Sequence, residues 1–388
     1  MRSRRLVCLV SLYVLMSGVA RSAPEPIKIG AAISLTSNVA LFGEEQNRGL
    51  LVAEDYFNSK GGIGGTPIKL LIEDAAGDEA SAINAFHSLM RKDVVGLIGP
   101  TLSQQAFAAD PLAQKAKFPV LAPSNTAKGI PQIGDFITRV SAPIAQVAPF
   151  ALAAALQKNP KLQTVVVLYA QNDAYSSSEA EVFQAAVKAH PALQLTAVQK
   201  FQTTDTDFTT QVTDILRKKP DAVIISGLAS DGGNLVKQLR QMGYKGVLIG
   251  GNGLNTPNVF PVCQKYCEGI LIAQAYSPAL DAPINKALLD GSQKRFQKAP
   301  GQFTAQAFTA VQVYVEALQA LAQKQNISQM KPSDLRQALL KQLRQGTYET
   351  PLGTISFDKD GEVLQKSFYV AAIRMNPDGK NGAFEFLK

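Results

Sequence analysis

The sequence predicts an α/β protein made of two doubly wound, Rossmann-like domains. Three observations carry that expectation. Short apolar runs alternate regularly with amphipathic ones, and the alternation occurs in two successive series. The strand-like runs are apolar throughout rather than alternating, which marks parallel sheets covered by helices on both faces. The chain has 388 residues, above the roughly 250–300 at which a single core stops growing.

The opening residues, MRSRRLVCLVSLYVLMSGVA, combine a basic start (Arg2, Arg4, Arg5), an apolar stretch from Leu6 to Met16 and a small-residue end at Gly18-Val19-Ala20. This pattern predicts a secretory signal peptide over residues 1–20, too short to span a membrane. Cleavage is expected after Ala20, because a cut after Ala23 would leave Pro24 at the new terminus. Cys8 lies inside the apolar stretch without small residues before it, so no lipid-anchored cysteine is expected there.

The first series is expected as a strand over Ile27–Ile33, a helix over Gly43–Asn58, a strand over Ile68–Asp74, a helix over Asp78–Arg91 and a strand over Val94–Gly99. A helix over Ser103–Lys117 and a short strand over Pro119–Ala122 close it. The second series predicts helices over Ala142–Gln157, Ser176–Ala189, Phe208–Lys218 and Asp231–Met242. Between them fall strands over Thr164–Tyr169, Leu193–Phe201, Ala222–Gly227 and Val247–Gly250. The last third adds long helices over Ile284–Lys298, Ala305–Lys324 and Pro332–Arg344. It then reads as a hairpin of GTISF and KSFYVAAIRM around Asp358-Lys359-Asp360-Gly361. Three short crossings, Arg139–Pro143, Ala273–Pro278 and Tyr348–Gly353, predict a three-segment hinge. One domain is then expected over 24–141 plus 277–350, the other over 142–276 plus 351–388.

Charge and motifs exclude several functions. The net charge of +8 includes the three signal arginines, and the remaining surplus alternates with acidic residues on helical faces, so no nucleic-acid partner is expected. Gly61-Gly62-Ile63-Gly64-Gly65 follows a helix and lacks a Gly-Lys-Ser/Thr ending, which makes it a turn. Gly250 to Gly253 follows a strand, but Thr256 replaces the last glycine of a dinucleotide fingerprint. His87 and His190 are the only histidines, and both sit in helical runs with no nucleophile elbow nearby. No catalytic residue, metal ligand set or cofactor is expected. A hydrolase using paired carboxylates, Asp173 with Asp231, is the enzymatic alternative. Cys263 and Cys267 are spaced to close a small disulfide loop in an oxidising compartment.

Polar residues recur where strands end. Ser103 follows the third strand, and Ser124 and Thr126 follow the fourth. Asp173 and Tyr175 follow TVVVLY, Asp231 follows AVIISG, and Asn252 follows VLIG. In parallel sheets these carboxyl ends face one crevice, where ligands bind. Hydroxyls and N–H groups suit a carboxylate, while an aspartate or carbonyls suit an ammonium.

On IKIGAAISLTSNVALFGEEQNRGLLVAEDYFNSKGGIGGTPIKLLIEDAAGD, VVGLIGPTLSQQ, FPVLAPSNTA, the aromatic of QNDAYS, and GGNGL, the chain resembles the periplasmic amino-acid-binding components of ABC transporters. Their fold is the type I periplasmic binding fold of leucine/isoleucine/valine-binding protein. The resemblance implies a monomer in the periplasm that closes over a free amino acid in the interdomain cleft and delivers it to a membrane permease. It assigns Ser103, Ser124 and Thr126 to the carboxylate and ammonium, and Phe42 to the ligand side chain. Tyr175 becomes the residue that closes over the ligand from the second domain. Two positions depart from the leucine-binding type: Asn252 stands where that type has a glutamate for the ammonium, and Leu228 where it has an aromatic. The ammonium is then left to Asp173, Asp231 or carbonyls, and a urea, amide or aromatic acid is the alternative ligand.

Overall fold

The computed structural model describes residues 25–387; the expected signal peptide and its cleavage after Ala20 lie outside the described residues. The first series folds as β1 (Ile27–Ile33), α1 (Ala40–Ser59), β2 (Ile68–Asp74), α2 (Glu79–Met90), β3 (Leu97–Ile98), α3 (Ser103–Ala116), β4 (Val120–Ala122) and β5 (Ile137–Arg139). Its five strands are all parallel, in the order β2-β1-β3-β4-β5.

The chain then crosses to α4 (Ile144–Lys158), β6 (Thr164–Ala170), α5 (Ala174–Ala189), β7 (Gln194–Phe201), α6 (Thr209–Lys218), β8 (Ala222–Ser226), α7 (Ala229–Gln241), β9 (Val247–Gly250), the single turn α8 (Phe260–Cys263) and β10 (Leu271–Gln274). It returns through α9 (Pro283–Phe296), α10 (Gln302–Ala322) and α11 (Pro332–Gln345). The end of the chain carries β11 (Tyr348–Thr350), β12 (Gly353–Phe357), β13 (Val363–Gln365), β14 (Tyr369–Met375) and β15 (Gly382–Phe386). The second sheet runs β15-β14-β10-β9-β8-β6-β7.

Both sheets share one winding. β7-β6-β8-β9-β10 repeats the order of β2-β1-β3-β4-β5, and each half has its topological switch point beside its first strand, at β1/β3 and at β6/β8. One apolar core lies between the first sheet, α2 and α3, around Phe86, Leu89, Leu97 and Val120. A second, continuous core covers the other face, including α1 and α10, and extends through the second domain. Tyr314 of α10 pins the first sheet by donating its hydroxyl to the carbonyls of Leu97, 3.0 Å, and Pro119, 2.8 Å.

Local sequence misplaces the carboxyl-terminal strands. The expected hairpin of GTISF with KSFYVAAIRM is not formed: β12 pairs with β13 and β11, while β14 joins β10 and β15. β14 instead pairs with β10, about a hundred residues earlier, and with the unforeseen β15, which folds back on it as a hairpin just downstream. The small β11–β13 sheet instead leans on α11, and its turn reaches back to β5, where Gly361 O accepts from Arg139 N at 3.2 Å. At the end of β13, Gln365 Nε2 donates to the carbonyls of Ala275 (2.6 Å), Leu352 (3.1 Å) and Ser367 (3.2 Å). Cys263 and Cys267 face each other with Cα atoms 5.5 Å apart, within the span of a disulfide.

Candidate functional site

The two switch points face each other across the cleft between the domains, and a cavity of about 30 Å³ opens there. Phe42, Thr101, Leu102, Ser103, Ser124, Thr126 and Phe303 line it from one side; Tyr175, Leu228, Asn252 and Gly253 line it from the other. One water needs roughly 10–15 Å³ by this measure, so the space suits a small solute.

The first wall is built on the start of α3 and the loop after β4. Ser103 opens α3, whose first N–H groups have no helical acceptor. The Ser103 hydroxyl accepts from Ala127 N at 3.3 Å, which leaves its own proton unspent. Thr126 Oγ1 is buried without any hydrogen-bond partner among the described residues. The Ser124 hydroxyl is committed: it donates to Thr101 O and accepts from Gln46 Nε2, each at 2.7 Å. The loop itself is held by buried Arg139. Its Nη1 donates to the carbonyls of Asn125 (2.9 Å) and Ala127 (2.7 Å), and its Nε and Nη2 grip Glu362 at 2.6 and 2.5 Å. Phe42 reaches the cavity because α1 approaches β1 closely at Gly43, where a Cβ would lie 1.7 Å from Ser34 O. Phe42 and Phe303 meet edge to face with centroids 5.1 Å apart.

The second wall is organised by Glu179. This carboxyl accepts from Tyr175 Oη (2.7 Å), Ser226 Oγ (2.6 Å) and Asn252 N (2.8 Å), and burial pushes it up to about 7. The Tyr175 hydroxyl also accepts from Gly253 N at 2.6 Å, so its polar atom is occupied and its ring faces the cleft. Leu228 lines the cavity beside it.

Asp173 and Asp231 do not line the cavity. Asp173 caps α5, taking the N–H and hydroxyl of Ser176 at 2.7 and 2.6 Å; Asp231 closes the start of α7 on Leu228 N at 3.1 Å. Burial raises both, Asp231 to about 7.

Four lining residues escape the sequence reading. Thr101 and Leu102 lie in the loop after β3, and Gly253 in the GGNG turn, all beside residues that were singled out. Phe303 carries no signal, since an aromatic on an apolar helix reads as core. The walls also touch directly: Glu45 of α1 accepts from Thr256 Oγ1, Asn258 Nδ2 donates to Leu41 O at 2.6 Å, and Lys128 N donates to Ser178 Oγ at 3.1 Å.

Comparison with known proteins agrees with this architecture. The model of the family described as "Periplasmic binding protein" matches residues 26–382. A Leu/Ile/Val-binding protein homolog from Brucella melitensis is 28% identical over 363 residues, covering 90% of this chain and 92% of that protein. Among solved structures, the branched-chain amino acid transporter substrate-binding protein of Streptococcus pneumoniae, in complex with isoleucine, superposes with a TM-score of 0.81 at 23% identity, covering 94% and 99% of the two chains. A Rhodopseudomonas palustris ABC-transporter solute-binding protein in complex with 3,4-dihydroxybenzoic acid gives 0.80 at 20% identity, covering 93% and 96%. With nearly its whole described length matched, the chain belongs to the periplasmic binding protein family and is a solute-binding protein of an ABC transporter rather than an enzyme.

Proposed function

We propose that the cleft captures a small solute bearing a carboxylate, that closure of the two domains buries it, and that the loaded protein hands it to a membrane permease from the periplasm. The observation that carries this reading is Thr126: its hydroxyl is buried in the cavity wall without a partner among the described residues. Beside it stand the Ser103 hydroxyl and the free N–H groups at the start of α3, a donor set matched to an anion. Hydrogen bonds to a charged group contribute roughly 1.5–3 kcal/mol each, so three or four support micromolar binding after ordering costs.

The small β11–β13 sheet is tied to β5 through Arg139 and Glu362. We therefore place the third hinge crossing between β13 and β14, after the Tyr348–Gly353 stretch that the sequence suggests. Free amino acids are one ligand class, in keeping with the Brucella and Streptococcus proteins. Aromatic acids are the second, supported by the rings of Phe42, Tyr175 and Phe303 in the walls and by the Rhodopseudomonas complex.

The test is titration calorimetry on ligand-stripped mature protein against the twenty amino acids, benzoates, urea and short amides. Saturable heat is expected with at least one carboxylate. Heat only with urea or amides, or with nothing, overturns the proposal.

A further inference from the structure

Gln302, the first residue of α10, sits behind the cavity wall and does not line it. Its Oε1 accepts from Ala275 N at 2.6 Å and from Asn255 Nδ2 at 2.8 Å. A backbone N–H can only donate, so Ala275 decides which end of the Gln302 amide is oxygen. The other end, Nε2, donates to Asn252 Oδ1 at 2.8 Å. Asn252 is fixed in turn. Its oxygen is consumed on the protein side, and its NH2 group has no partner among the described residues while the residue lines the cavity.

The cavity also lacks a negative charge. None of its lining residues is acidic. The surrounding carboxyls lie off the cavity lining: Glu179 is held by Tyr175, Ser226 and Asn252 N, Asp173 by Ser176, and Asp231 by Leu228 N through Oδ2, its Oδ1 buried away from the lining residues. A ligand ammonium would meet a hydrogen-bond donor at Asn252 and no counter-charge on either wall, and a desolvated, unpaired charge is strongly disfavoured.

We infer that Asn252, oriented by Gln302, selects among small carboxylic acids for those without an ammonium group, whose carbonyl, hydroxyl or second carboxyl oxygen accepts from Asn252 Nδ2. This rests on the carboxylate reading above and narrows it. Gln302 is a positioning residue: it sets the ligand preference through an amide it touches rather than through the ligand.

Calorimetry on matched pairs tests this: leucine against 4-methyl-2-oxopentanoate, alanine against pyruvate, and phenylalanine against phenylpyruvate, with benzoate as a further ammonium-free acid. In the mature protein the ammonium-free member of the tightest pair is expected to bind at least tenfold better. Gln302→Glu keeps the bond to Ala275 but presents a second acceptor to Asn252, which must turn its amide and offer Oδ1 to the cleft. The ratio should then move at least tenfold toward the amino acid, although residue 302 never meets the ligand. Asn252→Asp provides the same reversal directly, and thermal melting checks that both variants are folded. A wild-type preference for the amino acid, or an unchanged ratio in both folded variants, overturns the inference and leaves the carboxylate reading standing. Heat with none of these acids overturns both.

Discussion

Thr126 Oγ1 lies beneath the surface with neither a donor nor an acceptor among the described residues to satisfy it, a condition that costs about 1–3 kcal/mol for a buried polar group. A bound carboxylate removes that cost. Thr126→Ala is therefore expected to weaken ligand binding by about 1–3 kcal/mol, roughly fivefold to 150-fold, while the ligand-free melting temperature holds or rises slightly. Calorimetry decides, and unchanged affinity would take Thr126 out of the site. At this scale the sequence was informative for Ser103, Thr126, Phe42, Tyr175, Leu228 and Asn252, which line the cavity with Ser124. Asp173 and Asp231 looked the same in sequence and serve helix starts instead, because capping and ligand binding draw on the same residue types. The Gln302–Asn252 pairing joins residues fifty positions apart, and no local pattern announces it.

Helices and central strands were legible because their periodicity is local. Their edges were not: α10 begins at Gln302 rather than Ala305, and this first turn is where the helix meets Asn252. β14 is placed in the second sheet by its pairing with β10, about a hundred residues earlier, which no local stretch can reveal. The α8 turn ends in the Cys263–Cys267 loop, whose two side chains are both fully buried. Closing so short a loop contributes about 2 kcal/mol by the chain-entropy estimate. Cys263→Ser should accordingly lower the melting temperature by a few degrees with affinity unchanged. Two reactive thiols in the native, non-reduced protein would show instead that the bond is absent.

Across the whole molecule, three buried carboxyls, Glu45, Glu179 and Asp231, are each pushed up to about 7 by burial. In the unfolded chain they titrate near 4, so between about pH 4 and 7 the folded state holds more protons, and stability falls as pH rises through that window. The ligand-free melting temperature is expected to drop from pH 5 to pH 8, and Glu179→Gln to flatten part of the slope. A flat or rising profile would mean that these groups are ionised at little cost. Asp207, held down to about 2 by Thr209 and Gln238, titrates below this range and does not confuse it. The repeated strand order explains why two domains were readable at all: each half is a complete winding with its own periodic signal. Gln365 bears on how those halves move. One side-chain amide holds carbonyls of the second crossing, of the β11–β12 turn and of the segment leading into β14. If the domains open as proposed, the second crossing and the segment leading into β14, fastened at this common point, are expected to bend together, while the first crossing at Arg139–Pro143 lies outside this tie. On the proposed closure, ordering two coupled segments forfeits less entropy than ordering the same two as slack tethers, which leaves more of the contact energy in the cleft to appear as affinity.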